Sequence, residues 1–153
     1  STHDYIQWLF PKFIEGAALA PLLNNSEIDE FMLKKEELQP KLNQAFAMML
    51  DFYGLEIINN NGVKIVKNEN FIDRSKQWLT PENHNYARIT RILVALTSLG
   101  LMQEAQAFYD FLINLDATHQ NKIGQKSFEI WANVMGVKIY MIDILGLNYI
   151  HSD

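Results

Sequence analysis

The chain has no cysteine, which excludes disulfides, thiol nucleophiles, Cys-ligated zinc and iron–sulfur clusters while leaving the compartment undefined. Long apolar runs are missing as well. The best candidates are broken by Lys138, Asp143 and Asn148, short of the roughly 18 to 20 residues that cross a bilayer, so no transmembrane segment is expected. Basic residues are in the minority, 13 Lys plus Arg against 18 Asp plus Glu, for a formal charge of -5 over 153 residues. That balance argues against a nucleic-acid partner held by phosphate neutralisation. The first residues, Ser1, Thr2, His3 and Asp4, are not the basic start of a secretory signal, and the neutral expectation is a cytoplasmic protein.

Catalytic and metal signatures are also lacking. His3, His84, His119 and His151 are scattered without HxH, HxxxH or HExxH spacing, so no metal is expected. No GxGxxG, GxxxxGK[ST] or GxSxG occurs, which removes nucleotide-binding and serine-hydrolase signatures, and no cofactor is expected. The acidic neighbours Asp29–Glu30 and Glu36–Glu37 point partly apart on a helix and read as solvated faces rather than catalytic pairs.

What is present is helical periodicity with 48% hydrophobic residues, enough for one core and one domain over residues 1–153. Thr2 caps a short opening helix carrying Tyr5, Ile6, Trp8 and Leu9, stopped by Pro11. Residues 12–24 read as a loop. Ser26 opens a second helix with Ile28, Phe31 and Met32 on one face. A third runs over 36–53, with Leu38, Leu42, Ala45, Phe46, Met49, Leu50 and Tyr53 as its stripe and Gly54 as its stop; Pro40 makes its start late. Asn61-Gly62 between two β-branched stretches predicts a two-residue type I′ hairpin within 55–67. Thr80-Pro81 is read as opening the next helix, which ends at Gly100, and residues 101–115 return antiparallel beside it. Two more apolar stretches, 126–135 and 137–145, complete a mainly α fold, a compact helical bundle of about six to seven helices with one small β-hairpin.

Two clusters carry hydrogen-bonding chemistry. His84, Arg88 and Arg91 stand at i, i+4 and i+7 on a face opposite most of the apolar stripe, beside Asn83 and Asn85. Near the positive end of a helix dipole such a face suits a carboxylate or phosphate. Alternatively, Arg88 or Arg91 pairs with Asp4, Asp73 or Glu82 and holds the first helix in place. The second cluster is His3, Asp4, Gln7 and Trp8 on the opening helix, which either lines a pocket or simply anchors that helix.

Residues 2–11, THDYIQWLFP, and 83–101, NHNYARITRILVALTSLGL, together with the helix ending Phe52-Tyr53-Gly54, resemble the conserved domain of the opioid growth factor receptor family. The resemblance implies a signalling receptor for an enkephalin-type peptide, in animal members associated with the nucleus and perinuclear membranes. Those members continue into long tails or repeats, so this chain is expected to be a stand-alone, bacterial version. No catalytic residue comes with the resemblance. His3, Asp4, Gln7, Trp8, His84, Asn85, Arg88 and Arg91 are the candidate binding positions because both matching motifs contain them.

The leading expectation is an interaction domain that binds a peptide or small anionic ligand at this His/Arg/Trp-lined surface. A second reading is an enzyme with His84 or His3 as acid/base and Arg88 and Arg91 neutralising an anionic substrate. A third is a structural or homodimerising module built on the apolar stretch 137–149.

Overall fold

The computed structural model describes residues 25–136. The expected opening helix, the expected loop 12–24 and the apolar stretch 137–149 lie outside the described residues, and with them His3, Asp4, Gln7 and Trp8. Among the described residues six helices and one hairpin follow in order: α1 (Asn25–Leu33), α2 (Lys35–Phe52), β1 (Leu55–Asn59), β2 (Val63–Lys67), α3 (Phe71–Trp78), α4 (Asn85–Ser98), α5 (Met102–Thr118) and α6 (Gln125–Met135). The fold is mainly α, as the periodicity predicts.

The stripe on α2 is buried at every predicted position from Leu38 to Tyr53. Its start is a correction: the helix begins at Lys35 and carries Pro40 inside it. The missing proline N–H leaves the Glu36 carbonyl without its helical donor, and Glu36 is on the exposed first turn, where the loss is cheap and the helix tolerates the proline.

Gly54 ends α2 with φ +79°, a backbone state open to glycine and strained for other residues. Its bare Cα also lets α3 come close, since a Cβ there would stand 2.6 Å from Phe71 Cα. α3 escapes the sequence reading because only Phe71 and Trp78 of its eight residues are buried. Once docked, its Trp78 indole N–H donates to the Tyr53 carbonyl at 2.9 Å, and the two rings lie 5.2 Å apart.

The hairpin pairs Leu55 with Lys67 through Asn59 with Val63. Its turn is three residues, Asn60 to Gly62, rather than two, with Asn61 at φ +57° and Gly62 at φ +122°. The Asn60 N–H donates to the Gly62 carbonyl at 3.1 Å, which closes the loop one residue earlier than Asn-Gly alone would. Leu55 and Ile65 are buried, β1 against α2 and β2 against α5, so the marginal ribbon rests on the helices.

The α4–α5 connection is short: the Leu101 N–H returns to the Leu96 carbonyl at 2.8 Å, and the two helices pack on each other. α4 also packs extensively on α6. Phe108 against Phe46, with centroids 5.6 Å apart, joins α5 to α2. Among the described residues no helix is long and apolar enough to cross a membrane.

Candidate functional site

The site begins with a turn. Thr80 and Pro81 do not open α4, which starts at Asn85, because Asn83 supplies the better cap. Its side-chain carbonyl accepts from both the Asn85 main-chain N–H and the Asn85 amide at 2.9 Å. Its own amide donates to the Gln77 carbonyl and the Thr80 hydroxyl, each at 3.0 Å. One asparagine thus satisfies an orphan donor of α4 and ties the turn to the end of α3. The Tyr86 hydroxyl closes the same turn by donating to the Thr80 carbonyl at 2.6 Å.

From this start α4 presents the predicted polar residues to different surroundings. His84 precedes the helix and is exposed, whereas Asn85 and Arg88 are 3% and 6% exposed. Asn85 Oδ1 accepts from the Tyr53 hydroxyl at 3.3 Å and from Arg88 Nη1 at 3.1 Å. The expectation that His84, Arg88 and Arg91 share one outward face is therefore corrected. α4 packs on α5 and α6 and meets the end of α2 through Tyr53, so its buried arc widens to take in Asn85 and Arg88, while His84 stays exposed and Arg91 lies at the edge of that arc. Nor does Arg88 pair with Asp73, which lies beside Lys76 at 3.9 Å; its described partner is the neutral Asn85.

Arg91 is half-buried, and burial lowers its guanidinium pKa from the ordinary value. It lines a groove of about 700 Å³ between α4 and α6, with Glu82, Asn83, Tyr86, Lys126 and Ile130 among the other walls. His84, Asn85 and Arg88 are not part of that lining. Behind two of the lining residues, Tyr86 and Thr90, Trp131 is fully buried. Its indole N–H donates to the Thr90 hydroxyl at 2.9 Å, and Thr90 in turn donates to the Tyr86 carbonyl at 3.0 Å. Tyr86 and Phe128 meet its ring edge to face at 6.2 and 5.0 Å. The floor residue Ile123 is fixed by its N–H donating to buried Asp116 at 2.8 Å.

The sequence does not single out Lys126, Tyr86 and Thr90 as wall residues or Trp131 as the side chain that bonds to Thr90 behind them. The available signal was weak: Trp131 and Thr90 are 41 positions apart, and no local period links them. Among the described residues no group of three or more His, Asp or Glu could hold a metal ion.

Tyr53 and Tyr86 make the alkaline behaviour of this region testable. Burial raises the Tyr53 phenol well above its ordinary value, and burial, with Asp116 second, pushes Tyr86 from 10.0 up to about 12. A folded pKa above the unfolded one means stability is intact below pH 10 and falls as pH rises through about 12. Denaturation midpoints measured between these limits should decline, and Tyr86→Phe should flatten the decline while lowering neutral-pH stability by about 1 kcal/mol through the lost bond to Thr80. An unchanged pH slope in that variant would remove Tyr86 from the effect.

Known proteins place the chain. The profile of the opioid growth factor receptor conserved region matches residues 1–147. Opioid growth factor receptor-like protein 1 of Xenopus tropicalis is 43% identical over 99 residues, 64% of this chain and 19% of that protein. Its Mus musculus counterpart is 38% identical over 122 residues, covering 79% of this chain and 25% of the relative. The Homo sapiens opioid growth factor receptor is 38% identical over 100 residues, 65% of this chain and 14% of its own length. The chain thus spans a quarter or less of the curated relatives it matches. These relatives are vertebrate, so the expectation of a bacterial member finds no support. No solved structure matches. With its conserved region matched over nearly its whole length, this chain belongs to the opioid growth factor receptor conserved-region family.

Proposed function

We propose that the chain is a peptide-binding interaction domain whose ligand presents an anionic end to the groove between α4 and α6. The observation that carries this reading is Arg91 from α4 and Lys126 from α6 lining one groove of about 700 Å³. A guanidinium offers a planar fork that matches a carboxylate, and a half-buried one attracts it more strongly than an exposed one. Tyr86, Ile123 and Ile130 add surface for the apolar part of a peptide. The relatives' names, receptors for an opioid growth factor, favour a peptide over other anions. Of the predicted binding positions, Arg91 is the one assigned to ligand contact; Asn85 and Arg88 hold the start of α4 in shape.

The test is calorimetric titration of the 153-residue chain with an enkephalin-type pentapeptide carrying a free C-terminal carboxylate, and with its C-terminal amide. The acid should bind and the amide should bind roughly tenfold more weakly, the scale of one charge-assisted hydrogen bond. Arg91→Ala should erase the difference between the two peptides, whereas Arg88→Ala should lower the melting temperature. Equal affinity for acid and amide, or an Arg91→Ala protein that still prefers the acid, would refute the assignment.

A further inference from the structure

The hairpin has an unused side. Its ladder is bounded by the Asn60 N–H to Gly62 carbonyl bond at 3.1 Å and the Asn68 N–H to Gly54 carbonyl bond at 2.9 Å. Both lie on the register that pairs Glu56 with Val66 and Ile58 with Lys64, so the ladder bonds are exchanged by the even-numbered residues. In an antiparallel pair the alternate residues turn their N–H and C=O groups outward. On β2 these are Val63, Ile65 and Lys67. Among the described residues the sheet has two strands, and no main-chain bond from another element takes up those groups.

A groove of about 420 Å³ runs beside this edge, between β2 and α5, with Val63, Ile65, Lys64 and Lys67 on one wall and Phe111 and Asn114 on the other. Ile65 is 3% exposed and so forms the floor, while Val63 and Phe111 are half-buried and give the walls apolar surface. An open strand edge that borders a groove with a helix as its far wall is suited to strand addition, in which main-chain bonds supply affinity and alternate side chains fill the groove.

We propose that β2 is an acceptor strand, and that an extended segment of a partner protein with alternating apolar and acidic residues adds to its edge as a third strand in the groove facing α5. The charge pattern chooses this occupant. Lys64 is exposed and, one residue from buried Ile65, stands on the ribbon's outer face, while Lys67 shares the inner face of Ile65; an exposed lysine on an open edge disfavours a second copy of β2 there. With the apolar side chains of an added strand turned to the groove, its acidic side chains lie on the outer face and meet Lys64 favourably. The one carboxylate in the groove lining, Asp110, already accepts from the Gln106 amide at 2.9 Å, and the Lys67 ammonium stands 4.7 Å over the Phe71 ring, which fixes it at the groove's end. This site is separate from the groove between α4 and α6, so it stands whether or not that groove binds a peptide.

The experiment follows amide hydrogen exchange of the 153-residue chain, residue by residue, with a blocked heptapeptide of alternating valine and glutamate as the probe. Exchange at Val63, Ile65 and Lys67 should slow roughly tenfold or more, while the ladder amides of Lys64 and Val66 change little. The same peptide with lysine for glutamate should have no effect. Val63→Pro removes one outward donor and no ladder bond, and should weaken the probe roughly tenfold. The variant Lys64→Glu should switch preference to the lysine peptide, and it carries the test if the proline variant fails to fold. No protection of the three outward amides, equal protection by both peptides, or protection that grows with protein concentration without any peptide would overturn the proposal, the last by making a second copy the occupant.

Discussion

Alanine at position 54 is expected to lower the unfolding free energy by about 3 kcal/mol or more, as a left-handed backbone penalty of about 1 kcal/mol adds to steric overlap that no side-chain rotation relieves. The overlap is with main chain: the new Cβ would lie 2.6 Å from Phe71 Cα and 3.0 Å from Phe71 N. Relief requires α3 to move off the end of α2, which weakens the Trp78 bond to the Tyr53 carbonyl. Gly62 is the control. Its Cβ would meet nothing within 4 Å, so Gly62→Ala carries only the conformational part. Thermal melts of the two variants settle the point, and a Gly54→Ala protein that melts no lower than Gly62→Ala would show that the close approach is not limiting.

Truncation of Trp131 should be comparably damaging and should reach the proposed site. Trp131→Ala removes a fully buried indole and is expected to cost about 4 kcal/mol. Trp131→Phe keeps an aromatic ring against Tyr86 and Phe128 but loses the donor to Thr90, for a loss of about 1 to 2 kcal/mol. Because α6 provides the Lys126 wall, the alanine variant should also lose affinity for the carboxylate peptide at temperatures where it is still folded, and the phenylalanine variant should retain most of it. Denaturant titration and calorimetry on the same samples separate the two effects. A Trp131→Ala protein with wild-type stability would contradict the packing described for α4 and α6.

Much of the fold is legible locally. The α2 stripe, the stop at Gly54, the hairpin and the α4–α5 return are readable because each depends on neighbours within a few turns: helical period, a residue that accepts positive φ, a short connection. α3 is not legible for the complementary reason. Eight residues with two buried apolar side chains are a weak periodic signal, and the helix is stabilised by Trp78 reaching Tyr53 and by Phe71 seated against Gly54. α4 starts later than the sequence suggests because Thr-Pro is a good generic opening, while the actual cap, Asn83, gains its advantage from bonding back to Gln77 and Thr80.

The candidate site divides the same way. By itself the sequence determined the family, the helical class and the segment in which the polar chemistry is concentrated, since these follow from residue identity and spacing along one chain. Tertiary structure decided which of those polar side chains face inward. Spacing puts Arg88 and Arg91 on one side of a helix, yet Tyr53, 32 positions before Asn85, draws Asn85 and with it Arg88 into the interior, and α6 builds a groove beside Arg91. A helix period specifies directions around an axis. What lies in each direction is supplied by elements that arrive from elsewhere in the chain.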